Sequence, residues 1–237
     1  MSKKEGDTFI TGEEGYRKPR GILQALAAIQ HYYVAERNGE PISQDFLTIL
    51  GKFDFFSAGF KTGLIGGLIN LLLIPISIGV IDDYIPIFGN RHPGLFDKGF
   101  ALFLSISFYL GYSLLLATAR KYYIGEITRN AFKNLLRGVT AGALFKMVIA
   151  FIFFHFMYLF GLEEGFLTKA LYKLYPIVKY DTLNAIYQWL LGMRPIFLTS
   201  AYFIVCATLI YISIPWISVL LAARKTRRLM DLEDKWR

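Results

Sequence analysis

A single cysteine, Cys206, leaves this chain without an intramolecular disulfide and without a cysteine-based metal site. It lies inside an apolar run, where a free thiol is expected to pack as a small buried hydrophobic side chain. Histidine is almost as scarce. His31, His92 and His155 fall in three different regions and are not expected to converge on one site. The phosphate-cradling GxxxxGK[ST], the zinc-binding HExxH and the nucleophile pattern GxSxG are all missing. Asp82, Asp83, His92 and Asp97 share one loop, but their spacing matches no ligand motif. No catalytic residue, no metal and no cofactor are therefore expected.

Charge is also missing, in blocks. Pro195–Ala223 runs for 29 residues without Asp, Glu, Lys, Arg or His, and a helix crosses a bilayer core with about 20 apolar residues. Residues 62–81 and 99–119 repeat the pattern, and residues 138–162 do so except for Lys146 and His155. The chain is 54% hydrophobic and 16% aromatic, high for a soluble domain. The expected fold is all-α: a polytopic integral membrane protein with four transmembrane helices. The N-terminus, MSKKEGDTFITGEEGYRKPR, is polar and lacks the apolar core of a signal peptide, so an internal helix is expected to start insertion.

Three regions follow. Residues 1–61 read as a cytosolic N-terminal region, with 1–20 disordered and 21–50 holding two short amphipathic helices. The first runs Gly21–Arg37 and stops at Asn38-Gly39. The second, Gln44–Leu50, is capped by Ser43. Residues 62–223 form the four-span domain. Within it, the 32-residue loop Glu163–Arg194 reads as two helices lying flat at headgroup depth. Residues 224–237 form a basic cytosolic tail. Of the 26 Lys/Arg, 19 lie in the N-terminal region, the connector Arg120–Arg137 and the tail. The positive-inside bias then places both termini in the cytosol, with the protein in the cell's inner (plasma) membrane. The net charge of +8 is thus assigned to topology and anionic lipid, not to nucleic acid.

Four groups of residues carry the functional expectations. Gly59, Gly63 and Gly67 recur every fourth residue, with Gly66 and Asn70 on an adjoining ridge, a spacing that lets another backbone approach closely. Lys146 and His155 are the ionisable groups inside the spans. They lie nine residues apart, so they point to opposite faces of a helix and cannot form one relay. Lys146 is expected to snorkel to the headgroups, and His155 to hydrogen-bond a neighbouring hydroxyl. Ile22, Leu26, Ile29 and Tyr33 form an apolar stripe expected to meet a protein partner or the membrane surface. Arg224, Lys225, Arg227 and Arg228 are placed at lipid headgroups. Ser105, Tyr109, Tyr112 and Ser113 add a weakly polar stripe, whose hydroxyls are expected to bond carbonyls one turn back or on a neighbouring helix.

The function expected from this pattern is that of a non-enzymatic integral membrane subunit of a larger membrane-embedded assembly, of the secretion, conjugation or motility type. Its partners would be membrane lipids and other membrane protein subunits, a second copy of this chain included, with no nucleic acid. Two alternatives stand beside it: a small channel or transporter using His155, Asn70 and the Ser/Tyr stripe, and a membrane enzyme acting on a lipid.

Overall fold

The computed structural model describes residues 18–40, 49–81 and 94–236, and among these every regular element is helical. The elements are α1 (Ile22–Asn38), α2 (Ile49–Ile65), α3 (Leu68–Ile81), α4 (Leu95–Thr118), a 3-10 segment (Ala119–Tyr123), α5 (Glu126–Phe156), a π-helical turn (Met157–Gly161), α6 (Glu164–Tyr172) and α7 (Tyr180–Trp236). Four helical stretches among the described residues are long and apolar enough to cross a membrane: Phe53–Ile81, Leu95–Tyr123, Glu126–Gly161 and Tyr180–Thr226. The expected disorder of 1–20, most of the helix Gln44–Leu50 and most of the loop 82–98 lie outside the described residues.

Two compact units make up the chain. The first combines the described part of Met1–Gly66 with Gly111–Leu144 and Ile210–Arg237, and the second combines Gly67–Leu110 with Phe145–Leu209.

In the first unit α1 ends where Asn38-Gly39 directs. Gly39 takes φ 71°, and Glu40 N–H bonds the Ala35 carbonyl at 2.9 Å, closing the last turn in the left-handed way that glycine permits. The buried face of α1 is Ile22, Ala25, Ala28, Ile29, Tyr32 and Ala35, packed against α2 and the 3-10 segment. The stripe expected to meet a partner or the membrane surface is largely covered within the chain. Ile22 and Ile29 are buried, and Leu26 and Tyr33 are half-buried at the edge of the face. Three alanines sit on that face and admit the neighbouring helix closely, a role that a count of large side chains passes over. Polar contacts fasten the same helix. Lys18 pairs with Asp54 of α2 at 2.6 Å, and the Tyr122 hydroxyl donates to Gln30 Oε1 at 3.0 Å.

Glu36 supplies the strongest of these ties. Its Oε1 accepts the backbone N–H groups of Glu126 and Ile127 at 2.6 and 3.0 Å, at the open N-terminus of α5. A helix N-terminus has unbonded N–H groups and a partial positive charge, so a carboxylate seated there is stabilised by both. Gly125 leaves the room: a Cβ there would stand 2.8 Å from Glu36 Oε2.

Two helix boundaries differ from the sequence expectation. The first span begins before residue 62 and is broken at Gly66-Gly67, where Gly67 takes φ 75°. The second expected interfacial helix is not separate, because α7 runs without interruption from Tyr180 through Pro195 to Trp236. Proline at 195 lacks an N–H but does not break the helix, which keeps its other bonds within a long apolar segment. Cys206, expected buried, is exposed on α7.

Candidate functional site

Two constellations stand out, one in each unit. The first is a seam of glycines between α2 and α5. A Cβ built on Gly59 would overlap the Leu135 carbonyl oxygen, and one on Gly63 would overlap that of Val139 and stand 2.8 Å from Ala143 N. The relation is reciprocal. A Cβ on Gly138 would overlap the Phe56 carbonyl oxygen, and one on Gly142 the Phe60 carbonyl oxygen, 2.9 Å from Leu64 N. At all four positions the neighbour is backbone, which cannot swing aside as a side chain can. Close approach of this kind lets dispersion contacts hold helices where lipid supplies no hydrophobic drive.

Gly66 and Gly67 do not extend this row. They end α2, and the Gly67 Cβ position faces Tyr109 at 3.1 Å and Asn70 Oδ1 at 3.2 Å, within the second unit. Gly138 and Gly142 were missed by the sequence reading, although their spacing of four is the signal that picked out Gly59 and Gly63.

Around the seam the hydroxyls are bonded within the first unit. Ser113 Oγ donates to the Tyr211 carbonyl at 2.7 Å, Thr62 Oγ1 to Ala58 O at 2.8 Å, and Trp216 Nε1 to Thr140 Oγ1 at 3.0 Å.

The second constellation gathers polar groups. Asn70 of α3 is fully buried, and its Nδ2 donates to the Ser105 carbonyl of α4. Its Oδ1 has no hydrogen-bond partner among the described residues. Ser105 turns its own hydroxyl back to Leu102 O at 2.6 Å. Lys146 of α5 is 3% exposed, and its ammonium stands 4.8 Å from the centroid of the buried Tyr109 ring, a cation–π geometry. Thr208 of α7, also buried, adjoins Tyr109.

The snorkelling expectation for Lys146 is therefore corrected. Snorkelling needs a stem lying on exposed surface, and α5 starts at Glu126, which puts Lys146 deep in the helix on a covered face.

His155 is half-buried, with its ring 4.3 Å from Phe151 and 5.8 Å from Tyr202. Its Nδ1 finds no hydrogen-bond partner among the described residues, so the expected hydroxyl contact is not made there. Nearby, Arg194 Nε donates to the Tyr158 carbonyl of the π-helical turn at 2.9 Å, and its guanidinium lies 5.0 Å from the centroid of the Tyr158 ring.

Of the tail residues, Arg224 and Lys225 are exposed on α7, and Arg227 and Arg228 fall on its continuation. Among the described residues no three His, Cys, Asp or Glu side chains gather where they could hold a metal.

Compared with protein-family models, curated proteins and solved structures, the chain finds no match. The class defined so far is a helical protein with four helices long and apolar enough to span a membrane.

Proposed function

We propose that the chain is a non-enzymatic integral membrane subunit of a larger membrane-embedded assembly, with both termini in the cytosol and four helices crossing the inner membrane. The observation that carries this reading is the surface of α6 and the first turns of α7. Tyr172, Tyr175, Ile177, Tyr180 and Trp189 are all exposed there, between 52% and 82%. Four tyrosines (172, 175, 180 and 187) wall an open cavity of about 320 Å³ on the same surface. α7 has 57 residues where about 20 suffice to cross a bilayer core, so Tyr180 and Trp189, ahead of the uncharged run from Pro195, belong to its part in excess of a span, and Tyr172, Tyr175 and Ile177 precede the helix. Exposed aromatic surface of this kind marks interaction sites, and Tyr and Trp are the residues that most often anchor them.

A photo-crosslinking residue placed at Tyr175 or Trp189 in intact membranes tests the reading. A protein adduct of discrete mass at these positions, absent when the probe is at Leu144, supports it. Adducts only to lipid would contradict it.

The channel or transporter reading is favoured by one observation, the buried Asn70 Oδ1, which has no partner among the described residues and lies near Tyr109. A conduction pathway would use such an acceptor. The bonds from Ser113 to the Tyr211 carbonyl and from Trp216 to Thr140 tie neighbouring helices of the first unit, and they support the structural reading.

A further inference from the structure

The inner-side basic residues are not a diffuse halo. Three of them meet at one pocket in the first unit, between the 3-10 segment and the stretch Leu221–Thr226 of α7. Arg120, Lys121 and Lys225 line a cavity of about 420 Å³ whose other walls include Ile124, Leu221 and Ala222. Among the described residues no carboxylate lines it. Arg120 and Lys121 stand in the last turn of one candidate span, which ends at Tyr123, and Lys225 lies just past the uncharged run Pro195–Ala223 of another.

The pocket therefore sits where two spans reach headgroup depth. Its apolar wall continues along α7, because Leu221 is 56% exposed and Ile217, one turn earlier, is 54% exposed. Among the described residues two of the cations make few other contacts. Arg120 reaches Ser218 Oγ only at 3.4 Å, and Lys121 rests 5.1 Å above the Tyr122 ring centroid.

We propose that this pocket binds one anionic phospholipid, with the phosphate among Arg120, Lys121 and Lys225 and an acyl chain laid along Leu221 and Ile217. The pairing of three cations with a continuous apolar track selects an amphiphile over a free anion, which would gain nothing from the track. It also selects an anionic over a zwitterionic headgroup, whose ammonium would offset the attraction. Arg224, outside the lining, contributes only to the general surface charge.

The inference rests on the reading that these helices cross a bilayer, so the wild type is first floated with vesicles. Failure to float would overturn that reading as well as this one, whereas flotation without lipid selectivity overturns the pocket alone. The experiment is a native mass titration of the purified full chain with phosphatidylglycerol and with phosphatidylcholine.

The expected result is one phosphatidylglycerol per chain, bound at least about tenfold more tightly than phosphatidylcholine. The combined substitution R120Q, K121Q and K225Q should weaken phosphatidylglycerol by about a hundredfold, near fivefold for each cation removed at a membrane surface. The charge-keeping set R120K, K121R and K225R should bind within a few-fold of wild type, as should the distant set K98Q, K169Q and K173Q. Equal binding of the two lipids, or wild-type binding by the glutamine set, overturns the proposal. So does displacement of phosphatidylglycerol by millimolar inorganic phosphate, which would make the pocket a free-anion site.

Discussion

The two units solve the same problem in opposite ways. In the first, α2 and α5 approach by deleting side chains: Gly59 and Gly63 face Gly138 and Gly142, backbone against backbone. In the second, contacts are made through polar side chains, with Asn70 bonded to the Ser105 carbonyl and Lys146 over Tyr109. One helix, α5, carries both solutions, with its glycines in the first unit and Lys146 and His155 in the second. The glycine seam leaves nothing to rearrange, because any added atom meets backbone. The polar cluster leaves Asn70 Oδ1 without a partner among the described residues. Such groups cost free energy, and they can be redirected at little further cost. The contrast is between a contact made of backbone alone and one made of side chains.

The largest effect should come from breaking the seam. Gly63→Leu with Gly142→Leu should cost about 3 kcal/mol or more, since overpacking of a close contact costs about 1–3 kcal/mol per site and here no side chain can yield. Scanning fluorimetry in detergent reads it as a fall in melting temperature, at about 2–4 °C per kcal/mol for a chain of this size. A pair at Leu72, which is exposed, and Leu144 should be mild when changed to Phe. Equal losses from both pairs would dissolve the distinction.

Removing residues 1–40 ranks next. α1 covers the first unit through Ile29, Tyr32 and three alanines, so the truncation should lower thermal stability of the four-span body as well as any assembly it makes. An unchanged melting curve would show that α1 is an independent arm.

Glu36→Gln is a finer cut through the same contact. It keeps the shape but removes the charge from the α5 N-terminus, and should cost about 1 kcal/mol. High salt should shrink the difference, because the group is partly exposed.

The smallest effects should fall on the polar cluster. Asn70→Leu loses one hydrogen bond but also removes an unpartnered buried acceptor, so stability should move by less than about 1 kcal/mol. Lys146→Met, which keeps the length and loses the charge, should do no more. A large loss at either site would mean that the cluster is as fixed as the seam. A loss of ion or solute flux at normal stability would favour transport.

The sequence made the four apolar helices legible because a run of some 20 residues with little or no charge is a long signal, insensitive to a few misplaced boundaries. It also marked the end of α1, where Asn38-Gly39 requires a left-handed residue. It did not show that Gly66-Gly67 interrupts the row from Gly59, because a spacing of four reads the same through a helix and across its break. Nor did it show what covers α1. That depended on alanines, which periodicity of large residues ignores, and on Glu36 meeting a helix that begins 90 residues later. Lys146 misled for a related reason: its depth depends on where α5 starts, and the amphipathic turns before residue 138 carry no apolar run to announce that start.

The measurement that bears most directly on the account is the native mass of the full chain extracted in mild detergent, taken beside a variant carrying Tyr175→Ala and Trp189→Ala. The account predicts a wild-type complex larger than one chain, reduced to the lone chain in the variant, with the melting temperature of the body unchanged. A wild type that runs as a monomer with full stability would contradict it.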